Sequence, residues 1–427
     1  MKIFCSGIGG IGLSAYASLQ RQAGHDVSGS DRQVSPLLHD LQAQGIVVSL
    51  MQDGGAVPAD ADLFVYSEAI PPENPERVAA GRYGIRTATY FEALGEFSRA
   101  YRVVAVAGAH GKSSTTAMTA QVLVDADLDP TVVVGTKVPF LDGRNWRQGK
   151  SDLFLVEACE YRRSFLHLHP SIALVTTVDG DHFDAFTSLE DYQQAFVEFL
   201  RLLPQDGIAL FHGGDADARR IVDASGKSGI DVDVLAPPRL GIPGAHMREN
   251  AKLVLGLADV LGIPRTQAAS SLARFTGTWR RMEVKGTRPD GVTVVDDYGH
   301  HPAEIRATLA AMREAYPGRR IVCVFQPHTH DRTLVLYDDF TRAFKGGADI
   351  VIIPNIYDAR AFRDRAQADP EKLAKDIAAA SGISALYGTS LESTRTLLER
   401  EILRSGDVLV CMGAGDVTTL AAAMMPA

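Results

Sequence analysis

The stretch VAVAGAHGKSSTTAM, Val104 to Met118, ends an apolar run in a glycine turn and then becomes polar at a lysine followed by two serines. Gly108, Ala109, His110 and Gly111 can offer backbone N–H groups to phosphate oxygens, Lys112 an ammonium to the β- and γ-phosphates, and Ser113 or Ser114 a hydroxyl to Mg²⁺. The usual spacing G-x-x-x-x-G-K-[ST] is not met, because its first glycine falls on Val106. A serine that caps an ordinary helix after a tight turn is the plainer alternative.

A second glycine cluster, SGIGGIG, satisfies G-x-G-x-x-G at Gly7, Gly9 and Gly12, with Gly10 between them and Asp31 downstream. Backbone N–H groups at the helix start could hold a diphosphate, with Asp31 near a ribose. A dinucleotide, nicotinamide included, and a nucleotide sugar both fit. Carboxylates follow two apolar runs, Glu157 and Glu160 after DLFLV, and Asp179, Asp181, His182 and Asp184 after SIALVTTV. The carboxyl ends of parallel strands are where α/β folds bind ligands, so these are candidate Mg²⁺ ligands.

The third polar set is VVDDYGHHPAE with VFQPHTHDRT, containing Asp296, Asp297, His300, His301, His328 and His330. Its histidine spacings match no common zinc pattern, which leaves a polar active-site wall. The pair His300-His301 before Pro302 could equally open a helix, proline being favoured in the first turn. Trp279-Arg280-Arg281 reads as a salt-bridged strand edge, and the aromatics near Met118 and Phe196 to Phe199 as core.

The elements that must position these groups are short β-rich runs alternating with helical patterns: Lys2 to Ser6, Leu63 to Ser67, Arg102 to Ala107, Ile321 to Phe325 and Val408 to Met412, among others. This alternation predicts an α/β fold with parallel sheets. Restarts of the strand-to-helix pattern near Ala100 and Thr276 predict three domains, 1–99, 100–276 and 277–427. The chain's 427 residues, 46% hydrophobic and 22% charged, suit that number.

A formal charge of -9 gives no broad basic field, so no nucleic-acid partner is expected. Four cysteines without C-x-x-C pairing suggest neither zinc nor a disulfide framework, and a reducing cytoplasm is the expected setting. Glycines interrupt the amino terminus too early for a signal peptide, and no run reaches the ~18 apolar residues of a membrane span, so no membrane partner is expected. A monomer and a homodimer stay equally open.

Taken together, GIGGIG with Gly29-Ser30-Asp31, AGAHGKSSTT, VEACE, VDGDHFD, GAHMREN, GTWRRMEV, DDYGHHPAEI, FQPHTHDRT and MGAGDV resemble the Mur ligases nearly end to end. The resemblance also accounts for the short loop, since that family uses G-[TA]-x-G-K-[ST]. It implies a Rossmann-like amino-terminal domain for a UDP-sugar, a P-loop ATPase-like central domain and a Rossmann-like carboxyl-terminal domain for the amino acid. It further implies ATP and one or two Mg²⁺ ions, with UDP-N-acetylmuramate and L-alanine joined through an acyl phosphate. A ligase that adds a preformed tripeptide to the same sugar, a nicotinamide-dependent dehydrogenase and a non-catalytic nucleotide-binding protein are the competing readings.

Carried over position by position, the resemblance gives Lys112 to the β/γ-phosphates, Ser113 and Glu157 to one Mg²⁺, and His182 with Glu157 to a second. Arg281 would reach the γ-phosphate when the domains close, His246 and Asn250 would take the adenine side, and Asp296 or Asp297 the ATP ribose. Tyr298, His300, His328 and Arg332 would lie near alanine and the acyl phosphate. Gly7, Gly9, Gly10, Gly12, Asp31 and Ser67 would serve the UDP-sugar. Three positions depart from the family pattern: Glu68 stands at a usual hydroxyl, Cys159 at a usual aspartate, and Thr329 at a frequent arginine.

Overall fold

The structure, a computed structural model, describes residues 1–179, 185–358 and 366–426. The described residues form three sheets built from eighteen strands. The first sheet holds β1 (Lys2–Ser6), β2 (Asp26–Ser30), β3 (Val47–Ser49), β4 (Leu63–Tyr66) and β5 (Arg86–Thr89), all parallel in the order β3-β2-β1-β4-β5. The second holds β6 (Arg102–Ala107), β7 (Thr131–Val138), β8 (Arg144–Arg147), β9 (Leu153–Glu157), β10 (Pro170–Val175), β11 (Ile208–Phe211) and β12 (Ser228–Asp231). Its order is β12-β11-β10-β6-β9-β7-β8, and β8 alone runs antiparallel to its neighbour.

The third sheet holds β13 (Glu283–Thr287), β14 (Thr293–Asp297), β15 (Ile321–Phe325), β16 (Ile350–Ile353), β17 (Ser384–Tyr387) and β18 (Val408–Met412), in the order β13-β14-β18-β15-β16-β17 with β13 antiparallel. The central strands β6, β15 and β18 are buried along nearly their whole length, which is why they read as unbroken apolar runs. The α/β expectation with Rossmann-like parallel sheets is what the structure contains.

By contacts the chain forms two compact units: Met1–Arg239 with Asn250–Phe275, carrying the first two sheets, and Leu240–Glu249 with Thr276–Ala427, carrying the third. Cys5, Cys323 and Cys411 are buried free thiols and Cys159 is half-buried. Among the described residues no helix is long and apolar enough to cross a membrane.

Candidate active site

In the first sheet the strand order reverses between β1 and β4, the place where open parallel sheets bind ligands. The glycine turn leaves β1 there and leads into the helix Ile11–Gln22. Gly7 has φ +79°, and a Cβ on it would lie 3.1 Å from the Ser67 Cβ at the exit of β4. Gly12 packs against the Tyr90 ring, where a Cβ would come within 2.7 Å. Asp31, just past β2, turns inward: its Oδ2 accepts the Gly9 N–H at 2.8 Å and its Oδ1 accepts the Arg32 N–H at 2.7 Å. The carboxylate thus braces the loop that sequence reasoning had placed it beside.

The central site grows from three neighbouring strand ends. β6 runs into Gly108, β10 into Thr176 and Thr177, and β9 ends on Glu157. The glycine loop is latched to the β10 exit: Ala109 N–H donates to Thr177 O at 2.8 Å, His110 N–H to Thr177 Oγ1 at 3.1 Å, and Thr176 Oγ1 donates to His110 O at 2.5 Å. Gly108 adopts φ +141°, and a Cβ there would sit 2.0 Å from Thr176 Oγ1. A side chain at 108 is excluded both by backbone conformation and by space.

Gly111 is the left-handed N-cap of the helix Lys112–Asp125, and a Cβ on it would meet the Asn250 amide at 2.7 Å. Asn250 therefore lies against the phosphate loop, far away in sequence from it. Ser113 Oγ donates to Glu157 Oε1 at 3.0 Å, and Glu157 Oε2 accepts the Gly135 N–H at 2.7 Å. A hydroxyl beside a carboxylate is the hard oxygen donor set that suits Mg²⁺. Ser114 is buried. His182, the expected second metal ligand, lies outside the described residues, as do Asp181 and Asp184.

Lys112 is folded back on its own loop. Its Nζ donates to Gly108 O at 2.5 Å, Ala109 O at 3.0 Å and Glu160 Oε1 at 2.9 Å, with the lysine side chain 14% and the glutamate 0% exposed. Burial works against the ammonium, but Glu160 outweighs it with help from Cys159 and Glu157, so the pKa is raised and the lysine stays charged. The sequence placed Glu160 among the candidate Mg²⁺ ligands, whereas its Oε1 meets the Lys112 ammonium. Its only signal was its place near Glu157 at the strand end.

In the second unit the helix Pro302–Ala315 begins at His301, whose Nδ1 accepts the Ala303 N–H, while Glu304 reaches back to the His301 N–H. The plain helix-start reading of H-H-P is thus correct for His301. His300 differs: its Nδ1 lies 3.1 Å from Tyr298 O and 3.5 Å from Glu304 Oε2. Arg281 reaches Glu304 at 3.5 Å and the Tyr298 ring at 5.1 Å. The His300 and His328 rings are 5.7 Å apart, His328 stacks on Tyr357, and Arg332 Nη1 lies 3.2 Å from His328 Nδ1.

Arg281, Tyr298, His300, His328 and Arg332 are therefore one cluster, with Glu304 and Tyr357 as members that spacing did not reveal. Because arginine only donates, His328 Nδ1 is the acceptor and its proton sits on Nε2. Because a carbonyl only accepts, His300 carries a proton on Nδ1. His246, at the start of the helix Ala245–Val260, is pushed down to about 4 by burial, against the pull of Glu304. Its imidazole is neutral at pH 7.

Asp296 and Asp297 end β14 just before this cluster, and Asp297 feels the charges of Arg281 and Glu304. Both aspartates are buried, and both are engaged by neighbouring protein groups. The stretch Trp279 to Arg281 also differs from a strand edge: it forms a turn before β13 in which Arg280 and Met282 have φ +54° and +51°. Two non-glycine residues in the left-handed region cost roughly 1–2 kcal/mol each, so the surroundings must hold them there.

Family models match three successive parts of the chain: "Mur ligase family, catalytic domain" over residues 2–102, "Mur ligase middle domain" over 106–235, and "Mur ligase, glutamate ligase domain" over 280–415. A UDP-N-acetylmuramate--L-alanine ligase of Clostridium novyi is 37% identical, the match covering 97% of this chain and 95% of the relative. The chain belongs to the Mur ligase family. A relative of the same name from Caldanaerobacter subterraneus is 36% identical over 97% of this chain and 95% of its own length. Among solved structures, the UDP-N-acetylmuramate-alanine ligase of Thermotoga maritima superposes with a TM-score of 0.81 at 25% identity, covering 99% of this chain and 98% of that one. A murein peptide ligase from Psychrobacter arcticus, at 20% identity over the full length of both chains and a TM-score of 0.73, shares the fold.

Proposed function

We infer that this Mur ligase joins L-alanine to UDP-N-acetylmuramate at the expense of ATP. The observation that carries the reading is the buried Lys112 ammonium, bonded to Gly108 O, Ala109 O and Glu160, beside the Ser113–Glu157 oxygen pair at the start of a helix. A hydride-transfer enzyme would leave this set without a task. The names of the full-length relatives supply the substrates.

In the proposed reaction a lactyl carboxylate oxygen of the sugar nucleotide attacks the γ-phosphorus, and the bond to the β-phosphate oxygen breaks, releasing ADP. The alanine nitrogen then attacks the acyl carbon, and inorganic phosphate leaves from the tetrahedral intermediate. An anion attacking an anion needs fixed positive charge, which Lys112 supplies at the β/γ-phosphates and Arg281 at the phosphoryl group in transfer. Ser113 and Glu157 would hold Mg²⁺, which neutralises phosphate charge when bound.

The amine must shed a proton to attack, and His300 Nε2, in its acceptor form, would take it. Arg332, oriented by His328, would bind the alanine carboxylate, with Tyr298 beside it. Gly7, Gly9, Gly10 and Ser67 at the first switch point would serve the diphosphate, and Asn250 and the neutral His246 the nucleotide base. On this reading residues 1–99 bind the UDP-sugar, 100–276 bind ATP and 277–427 bind the amino acid. The deciding assay is phosphate release with UDP-N-acetylmuramate against a panel of amino acids and the tripeptide. Release that needs both the sugar nucleotide and L-alanine is expected; release driven by the tripeptide alone would overturn the choice of acceptor.

A further inference from the structure

Strand β8 is held firmly in the second sheet: Trp146 is buried, and Arg147 donates to Pro130 O at 2.7 Å and pairs with Asp129. Between Arg144 and Trp146 lies Asn145, only 2% exposed. Its Nδ2 donates to Ile11 O at 2.6 Å and to Val134 O at 3.3 Å. Both neighbours are carbonyls, which only accept, so the orientation of the amide is fixed and both of its N–H groups are spent.

The two carbonyls belong to different sites. Ile11 opens the helix that leaves the first glycine turn, and its oxygen also accepts the Ser14 hydroxyl at 3.0 Å. Val134 lies on β7, whose registered pairs with β9 end at Val133 and whose pairs with β8 break off between Val133 and Val138. The peptide that joins Val134 to Gly135 thus lies beyond the last registered pair on either side. A peptide unit is planar, with its C=O and N–H pointing opposite ways. Asn145 holds the carbonyl of this one; its N–H, that of Gly135, donates to Glu157 Oε2 at 2.7 Å, and Glu157 Oε1 accepts the Ser113 hydroxyl at 3.0 Å.

We propose that Asn145 is a positioning residue that couples the sugar-nucleotide site to the metal site: held by the helix behind the first glycine turn, it sets the Val134–Gly135 peptide and, through it, the Glu157 carboxylate that would take Mg²⁺. This rests on the functional reading above. The element with two arrangements is the peptide itself, its N–H on Glu157 or turned away from it. The side-chain bonds at its two ends polarise one amide, so each strengthens the other. A sugar nucleotide seated on the glycine turn orders Ile11 and the helix start, and Asn145 passes that order to Glu157. By linkage, a metal-loaded nucleotide favours the sugar nucleotide by the same factor.

The test is calorimetric titration of the full chain with a non-hydrolysable ATP analogue, in Mg²⁺ and in chelator, each with and without saturating UDP-N-acetylmuramate. The quantity read is the factor by which Mg²⁺ tightens binding of the analogue. In wild-type protein the sugar nucleotide should raise that factor at least about fivefold, the lower end of ordinary coupling between sites. In Asn145→Ala the factor should fall about five- to tenfold, the worth of one lost hydrogen bond, and no longer respond to the sugar nucleotide. Binding of the analogue in chelator should stay within about twofold of wild type on the same reasoning, because no nucleotide contact is removed.

An unchanged Mg²⁺ factor in the variant would overturn the proposal. Equal losses with and without metal would overturn it too, since they would mark Asn145 as a packing residue only. So would a wild-type factor that ignores a bound sugar nucleotide. Should Asn145→Ala fail to fold, Asn145→Leu fills the same space without a donor, and the same outcomes apply to it. Wild-type protein that did not bind UDP-N-acetylmuramate at all would defeat the functional reading separately. The link from Asn145 to Glu157 would still be judged by the Mg²⁺ factor of the variant alone.

Discussion

Replacing Glu160 by glutamine should weaken the fold and strengthen ATP binding at once. The Lys112–Glu160 contact is 2.9 Å long and both side chains are largely buried. Glutamine keeps an acceptor oxygen in place but removes its charge, and a hydrogen bond to a charged group is worth about 1.5–3 kcal/mol. With Gly108 O and Ala109 O still accepting from the ammonium, a loss of about 2 kcal/mol is expected, which for a unit of this size lowers Tm by roughly 4–8 °C.

Binding moves the other way. A phosphate oxygen bonded to Lys112 Nζ at ~2.8 Å would lie roughly 6 Å from the Glu160 carboxylate, and two unit charges at that distance repel by about 3 kcal/mol at an effective dielectric of 20. Removing that charge should tighten Kd for ATP by about tenfold to a hundredfold. Calorimetric titration with a non-hydrolysable ATP analogue, alongside thermal denaturation, measures both. A variant that loses stability and also binds the analogue more weakly would refute the reasoning, because Glu160 would then be presenting Lys112 to the nucleotide and not competing for it. The lysine's raised pKa adds a sign: the stability it contributes is present below pH 10.5 and lost as pH climbs through the folded value, and Glu160→Gln should bring that loss to lower pH.

Other outcomes follow from the same geometry. Lys112→Ala should abolish phosphate release while UDP-N-acetylmuramate still binds by calorimetry; undiminished turnover would remove the loop from the reaction. Arg332→Ala should raise KM for alanine far more than KM for ATP, and equal increases would show that the amino acid binds elsewhere. Burial raises Asp297 to about 6 from 3.8, so the folded protein binds its proton more readily than the unfolded chain. That contribution is full below pH 3.8 and gone above about pH 6, a fall of roughly 3 kcal/mol as pH rises. Denaturant melts of Asp297→Asn across this window should lack that component of the slope.

The strongest sequence signals were those fixed by local chemistry. Strands β1, β6, β15 and β18 have the bounds that their apolar runs suggested, because they are buried on both faces. Short β3 and β17 are partly exposed and span only three and four residues, so their local signal was weak. The glycine loop ahead of Lys112 and the polar wall with His300 and His328 were legible from residue type, whereas Tyr298 and Arg332 came with the family resemblance. The internal partners of Asp296 and Asp297 were not legible, since a carboxylate's partner depends on which face of the sheet it leaves and on a turn whose left-handed residues are neither glycine nor asparagine. Asp31 shows the same limit: its type suggested a ribose, and its Oδ2 instead holds the Gly9 N–H.

Gly135 has no chemistry of its own, yet a Cβ there would fall 2.7 Å from Glu157 Oε1. Its N–H anchors the other oxygen of that carboxylate, so Oε1 can be drawn toward a cation while Oε2 stays tethered. On the proposed role of Glu157, selection for a cation there reaches a strand residue that would never touch it. Any side chain added at 135 would register first as a change in metal dependence and only afterwards as a change in folding.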